Sequence, residues 1–161
     1  MACHDDPVTT TEFRISQTWT GNDGRGTSSG DFDRSGELAA DGSPTIPTAP
    51  PGAADGGWSP EALLLGAVSE CQMLWYLHLC ERNGIVVESY RDTASGTLAV
   101  EGSRGAMTGI HLDARVTISA GDAEQAAALF EVAGERCYIA RSLAEPVRHT
   151  ITVEQVPVSP R

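Results

Sequence analysis

Basic residues are scarce in this chain of 161 residues: 11 stand against 22 acidic ones, for a formal net charge of -11. A field of that sign repels phosphate backbones and anionic lipid headgroups, which argues against nucleic-acid binding and electrostatic membrane attachment. Close cysteine pairs are also lacking. The four cysteines, Cys3, Cys71, Cys80 and Cys137, have neither the short spacings of a zinc site nor the density of a secreted disulfide scaffold. No signal-peptide hydrophobic region and no apolar run of membrane-spanning length is read in the sequence. The chain therefore reads as soluble and cytoplasmic, a setting where thiols that do pair are more often catalytic or redox-sensing than structural. The length suits one domain, 1–161, with a single core.

Residues 1–10 read as a terminus without regular structure, with Cys3 and His4 in it rather than in a metal site. From Thr11 the pattern alternates, Phe13, Ile15, Gln17 and Trp19 on one face and Glu12, Arg14, Ser16 and Thr18 on the other, which predicts a strand. Gly21-Asn22-Asp23-Gly24 supplies a turn, and a second extended segment, around Thr27 to Leu38 with Phe32 and Arg34, completes a hairpin. Residues 40–57, rich in Pro and Gly, predict a long surface loop in which no regular element propagates.

A helix follows with clear boundaries: Ser59 as N-cap, Pro60 at its first position, Glu61 in its first turn and Asn83-Gly84 at its end. Leu63, Leu64, Leu65, Ala67, Val68, Met73, Leu74, Trp75, Leu77 and Leu79 surround it almost completely, so it is expected to be central or to lie in a subunit interface. Ile85 to Tyr90, Gly96 to Val100 and the alternating Ile110, Leu112, Ala114, Val116 and Ile118 fit an antiparallel meander. Asp122 with Gln125 resembles a capping box opening a second helix that runs to Cys137, and Val147, His149, Ile151 and Val153 alternate as a last strand. The order of elements predicts the α+β class.

Cys71 lies midway along the apolar helix, where a thiol is either a small buried hydrophobe or placed for chemistry. Cys80, nine residues on, points to the opposite side at about 100° per residue and reads as packing. Cys137 lies where a helix ends and the chain turns, a place where a side chain is both held and accessible. His78, His111 and His149 lack metal-ligand spacing.

The run from Trp58-Ser59-Pro60-Glu61 through Ser69-Glu70-Cys71-Gln72-Met73-Leu74, with Gly84, Tyr90-Arg91-Asp92 and Cys137-Tyr138-Ile139-Ala140-Arg141-Ser142, resembles the OsmC/Ohr family, the osmotically inducible protein C and organic hydroperoxide resistance proteins. The resemblance covers roughly Phe13 to Val153, including Trp19-Thr20-Gly21, and is closer to the OsmC branch. It implies antiparallel sheets with a long central helix and a second helix, assembled as an intertwined homodimer. It implies a thiol peroxidase for organic hydroperoxides in which Cys71 is the peroxidatic thiol, Cys137 the resolving thiol, Arg34 the active-site arginine and Glu61 the carboxylate paired with it. The reductant it implies is a dithiol of the lipoyl type; no metal or cofactor is called for.

The chemistry suits those residue types. A thiolate that attacks a peroxide oxygen expels an alkoxide, so a fixed cation stabilises both nucleophile and leaving group. Arginine stays charged when desolvated, and its planar fork engages a carboxylate while keeping donors for sulfur. The sulfenic acid left on Cys71 condenses with a second thiol before further oxidation. Glu61 precedes Cys71 by ten residues, ~15 Å along a straight helix, so a shared site needs Arg34 to reach between them or a second subunit to contribute. Glu70 and Gln72 flank the thiol where the family more often has a small residue and a histidine, and Arg141 stands where asparagine is common. They leave open a binding module, holding an apolar or thiol-bearing ligand without turnover, and a structural dimer with inert cysteines.

Overall fold

The computed structural model describes residues 10–19, 27, 33–54 and 56–157. Cys3, His4, Phe32 and the Gly21–Gly24 turn lie outside them. The chain forms two compact units that join in sequence between Pro60 and Glu61.

The first unit is a three-stranded antiparallel sheet in the order β1 (Ile15–Trp19), β2 (Gly36–Ala40), β3 (Ile46–Thr48). β1 pairs with β2 as the hairpin reading predicts, Ile15 opposite Ala40 and Trp19 opposite Gly36. The expectation that residues 40–57 carry no regular element is corrected by β3. Proline is tolerated there because β3 is an edge strand, where a missing N–H costs the ladder nothing. Pro47 still offers its carbonyl, which accepts from the Trp58 N–H at 2.9 Å, and Ala49 N–H donates to the Trp58 carbonyl at 3.3 Å.

The second unit begins with α1 (Pro60–Arg82). Its end is a Schellman motif: Ile85 N–H donates to Cys80 C=O at 2.9 Å and Gly84 N–H to Glu81 C=O at 3.1 Å, with Gly84 at φ 70°. β4 (Val86–Glu101) and β5 (Arg104–Ala120) then form one long hairpin. The two extended segments expected around Tyr90 and Val100 are thus a single strand, whose register shifts, one of them between Ser95 and Thr97, absorb Gly96 as a bulge. α2 (Ala123–Arg136) starts at Asp122, whose Oδ1 accepts from Gln125 N–H at 2.7 Å. The Gln125 side chain turns to Asn83 Oδ1 instead of closing the box. A 3₁₀ turn (Ala140–Ser142) leads to β6 (Arg148–Gln155), which runs parallel to β5 because α2 crosses over between them.

Both helices pack on the face of this sheet that carries Ile110, Leu112, Ala114, Val116 and Ile118, all buried. Tyr76, Leu79 and Cys80 of α1 meet Ala126, Phe130 and Ala133 of α2 over Ala114, Val116 and Ile118. Each fully buried large side chain there contributes about 1.5–3 kcal/mol. α1 is long and apolar enough to cross a membrane, which corrects the expectation that no such run exists. Its Val68, Gln72, Tyr76, Leu79 and Cys80 are nonetheless buried among β5 and α2, the situation of a core helix.

Candidate active site

Leu74, Trp75 and His78 follow Cys71 at intervals of three, four and seven residues, so all four side chains lie on one face of α1. With Tyr138 they line an open pocket of about 330 Å³. Leu74 remains 56% exposed. The Trp75 ring meets Tyr138 and His78 nearly edge-on, with centroids 5.6 and 5.9 Å away, and the Arg136 guanidinium carbon lies 5.7 Å from its centroid. The floor is thus a half-exposed thiol and its walls are aromatic, a surface that favours an apolar guest.

Cys137 caps the C-terminus of α2. Its backbone turns extended there, with φ -64° and ψ 110°, while its N–H still bonds Gly134 C=O. Its carbonyl accepts from Arg141 N–H at 3.0 Å, and its Sγ accepts from Ala140 N–H at 3.3 Å. The side chain is fully buried, and Cys71 lies near enough to act on its ionisation, in keeping with Tyr138, the next residue, sharing the pocket with Cys71. Burial pushes the Cys137 thiol up to about 11; the neighbouring Cys71 acts in the same direction and the Ala140 N–H against it. Both sulfurs are free thiols.

The other predicted residues divide. Cys80 is buried in the core on the far side of α1, where desolvation raises its thiol and Tyr76 lies against it. Glu61 sits in the first turn of α1 with its Oε2 buried and without a hydrogen-bond partner among the described residues. Arg34 lies in the first unit, just before β2 and after Asp33. Asp33 accepts from Ser35 N–H at 2.8 Å, a bond that holds its carboxyl below the ordinary range, and its carbonyl accepts from Trp19 Nε1 at 2.8 Å. Glu70 is exposed. Gln72 turns away from the pocket: it is fully buried, and its Nε2 donates to Phe130 C=O at 2.7 Å.

The sequence reading missed the pocket walls Tyr138 and His78, although the i, i+3, i+4, i+7 spacing from Cys71 contains the signal for His78. It also left Tyr90-Arg91-Asp92 without a role. The Asp92 carboxylate accepts from Ser69 Oγ at 2.8 Å and from Tyr90 O–H at 3.0 Å, tying α1 to β4 on the side opposite the pocket. Among the described residues no group of three His, Cys, Asp or Glu side chains is placed to hold a metal ion.

Comparison with known proteins gives the arrangement a context. An OsmC-like protein of unknown function from Vibrio cholerae is 25% identical, covering 89% of this chain and 100% of its own, with a TM-score of 0.80. An organic hydroperoxide resistance protein OsmC, predicted redox protein, from Legionella pneumophila is 18% identical, covering 91% and 99%, with a TM-score of 0.63. An organic hydroperoxide resistance protein from Elizabethkingia anophelis is 19% identical, covering 92% and 99%, with a TM-score of 0.65. A search of curated proteins yields no match. The model of the family described as OsmC-like protein matches residues 52–152, which include α1, α2 and both facing thiols, and the chain belongs to that family.

Proposed function

We propose that this protein is a two-cysteine thiol peroxidase that reduces organic hydroperoxides to alcohols. The observation that supports the reading is the nearness of Cys71 and Cys137, one on α1 and one at the end of α2, beside a pocket with apolar walls that Cys71 itself lines. The Cys71 thiolate attacks one oxygen of ROOH; the O–O bond breaks, the leaving alkoxide takes a proton and departs as ROH, and Cys71 is left as a sulfenic acid. The Cys137 sulfur then attacks the Cys71 sulfur, the S–O bond breaks, and the hydroxide leaves as water with the Cys137 proton. A dithiol of the lipoyl type returns both cysteines to thiols and is itself oxidised to a disulfide.

In this reading Arg34 supplies the cation that keeps Cys71 ionised and receives the leaving oxygen, and Glu61 supplies the carboxylate that orients it. The working form is a cytoplasmic homodimer, in keeping with the apolar side of α1 around the 56%-exposed Leu74. The open aromatic pocket also favours a second reading, a module that holds an apolar ligand without turnover.

Thiol titration separates the two. One equivalent of cumene hydroperoxide consumes two thiols and yields a Cys71–Cys137 crosslinked peptide by mass spectrometry, and Cys71→Ser abolishes both. Thiols that persist under peroxide would sink the peroxidase and leave the binding module.

A further inference from the structure

We propose that Gln72 is a positioning residue for disulfide closure: its amide locks α1 against α2 at the level that holds Cys137 over Cys71. The inference rests on the peroxidase reading and concerns its second step.

Gln72 is the residue next to Cys71 in sequence, but the step of about 100° per residue carries it off the pocket face and into the seam between the helices. There it is fully buried, and Nε2 donates to Phe130 C=O at 2.7 Å, across 58 residues of chain. Apart from the Tyr76 hydroxyl and the Cys80 thiol, which lie against each other, the seam is apolar, formed by the rings and alkyl groups of Tyr76, Leu79, Ala126, Phe130 and Ala133. Apolar contacts are non-directional and tolerate sliding and rotation; a hydrogen bond to one carbonyl does not. Phe130 stands seven residues before Cys137, two turns of helix and about 10.5 Å along the axis on the same side. Fixing Phe130 to Gln72 therefore sets both the level and the azimuth at which the Cys137 end of α2 meets Cys71.

Two observations argue that this bond serves geometry rather than stability. Gln72 Oε1 is buried and has no partner among the described residues, so the amide is half satisfied and carries the desolvation cost of an orphaned acceptor. An apolar residue of the same length would fill the seam without that cost. The resolving thiol, for its part, depends on alignment. Burial holds the Cys137 thiol protonated at neutral pH, so closure relies on proximity and orientation rather than on a ready thiolate.

The step affected is Cys71–SOH + Cys137–SH → Cys71–S–S–Cys137 + H₂O. The test compares the full-length reduced protein with its Gln72→Met and Gln72→His variants. Methionine matches the length and removes both polar atoms; histidine restores a ring N–H donor. Each is mixed with one equivalent of cumene hydroperoxide in the presence of dimedone, and sulfenic acid adduct and disulfide are counted against time by mass spectrometry.

The expected result for Gln72→Met is loss of the first thiol within about threefold of the wild-type rate, closure slowed by about tenfold or more, and adduct at Cys71 accumulating. Its urea midpoint equals or exceeds that of the wild type, and Gln72→His recovers most of the closure rate. Closure in Gln72→Met at the wild-type rate, or no recovery in Gln72→His, would overturn the role. A Gln72→Met protein that fails to fold overturns it as well, since the amide would then serve stability. Diamide, which takes up two hydrogens as it couples two thiols, drives the same closure without peroxide. An effect of Gln72→Met on diamide-driven closure stands even where the wild type proves inert to hydroperoxide, so failure of the peroxidase reading and failure of this one are told apart.

Discussion

Gly134 is where the packing of α2 leaves least room, and replacing it with alanine sets two known effects against each other. In a helix interior, glycine to alanine stabilises by about 1 kcal/mol through backbone entropy. Here the added Cβ would overlap His149 Cε1 and stand 2.9 and 3.1 Å from Nε2 and Nδ1, so it meets the whole imidazole rather than the tip of a flexible chain. That ring cannot retreat cheaply. Its side chain is 10% exposed, it meets Phe130 edge-on at 5.8 Å, and Nδ1 lies 3.5 Å from Glu131 Oε2. Overpacking of this kind costs about 1–3 kcal/mol, and displacing the ring from Phe130 about 0.5–1.5 kcal/mol more. The net expectation for Gly134→Ala is a loss of about 2 kcal/mol, read by urea unfolding at unchanged m-value. In a His149→Ala background the obstacle is gone, and the same substitution is expected to stabilise by about 1 kcal/mol, giving a coupling of about 3 kcal/mol in the double-mutant cycle. Stabilisation by Gly134→Ala with His149 in place would refute the argument and show that α2 and β6 are free to part.

Further expectations concern the thiols and their supports. Cys137→Ser leaves the first thiol loss intact and makes the sulfenic acid at Cys71 persist, as a dimedone adduct without disulfide. Cys137 binds its proton more tightly folded than unfolded, so its contribution to stability is complete below about pH 9 and is lost as pH climbs through about 11; at about 1.4 kcal/mol per unit this amounts to at most about 3 kcal/mol. Urea midpoints from pH 7 to 10.5 should show that decline, and Cys137→Ser should flatten it. The rate of closure itself should rise with pH toward 11, up to tenfold per unit, and a flat profile would show that the thiolate is not the attacking form. Asp92→Ala strands the Ser69 and Tyr90 hydroxyls in the seam between α1 and β4 and is expected to cost about 1–3 kcal/mol, measured by thermal or urea unfolding.

The fold was legible wherever one face is buried and one is wet. The alternation from Ile110 to Ile118 marks β5 because its even positions lie under the helices, and Pro60, Asn83-Gly84 and Asp122 mark helix ends because orphan backbone groups must be met there. β3 was not legible, because three residues with a proline among them carry no periodicity, and their pairing depends on β2 and Trp58, which are distant or out of register in sequence. The parallel sense of β6 likewise follows from where α2 deposits the chain. As for the site, each cysteine could be placed on its helix, but their pairing comes only from the family resemblance, since 65 residues, with the hairpin and the crossover among them, lie between the two. In the linear sequence Gln72 is a departure beside the sulfur; a single helical step turns it out of the pocket altogether, which linear adjacency conceals.

Pro47 has a bearing on solubility. The rim of a β-sheet is a template on which a second chain can add its own strand, the first event in many fibrils. β3 is three residues long, has a residue without an N–H at its centre, and already has the Pro47 carbonyl and the Ala49 N–H occupied by Trp58. A newcomer would find almost no open groups on that side, so this rim is guarded against runaway stacking by a residue that, in a linear reading, marks only a loop.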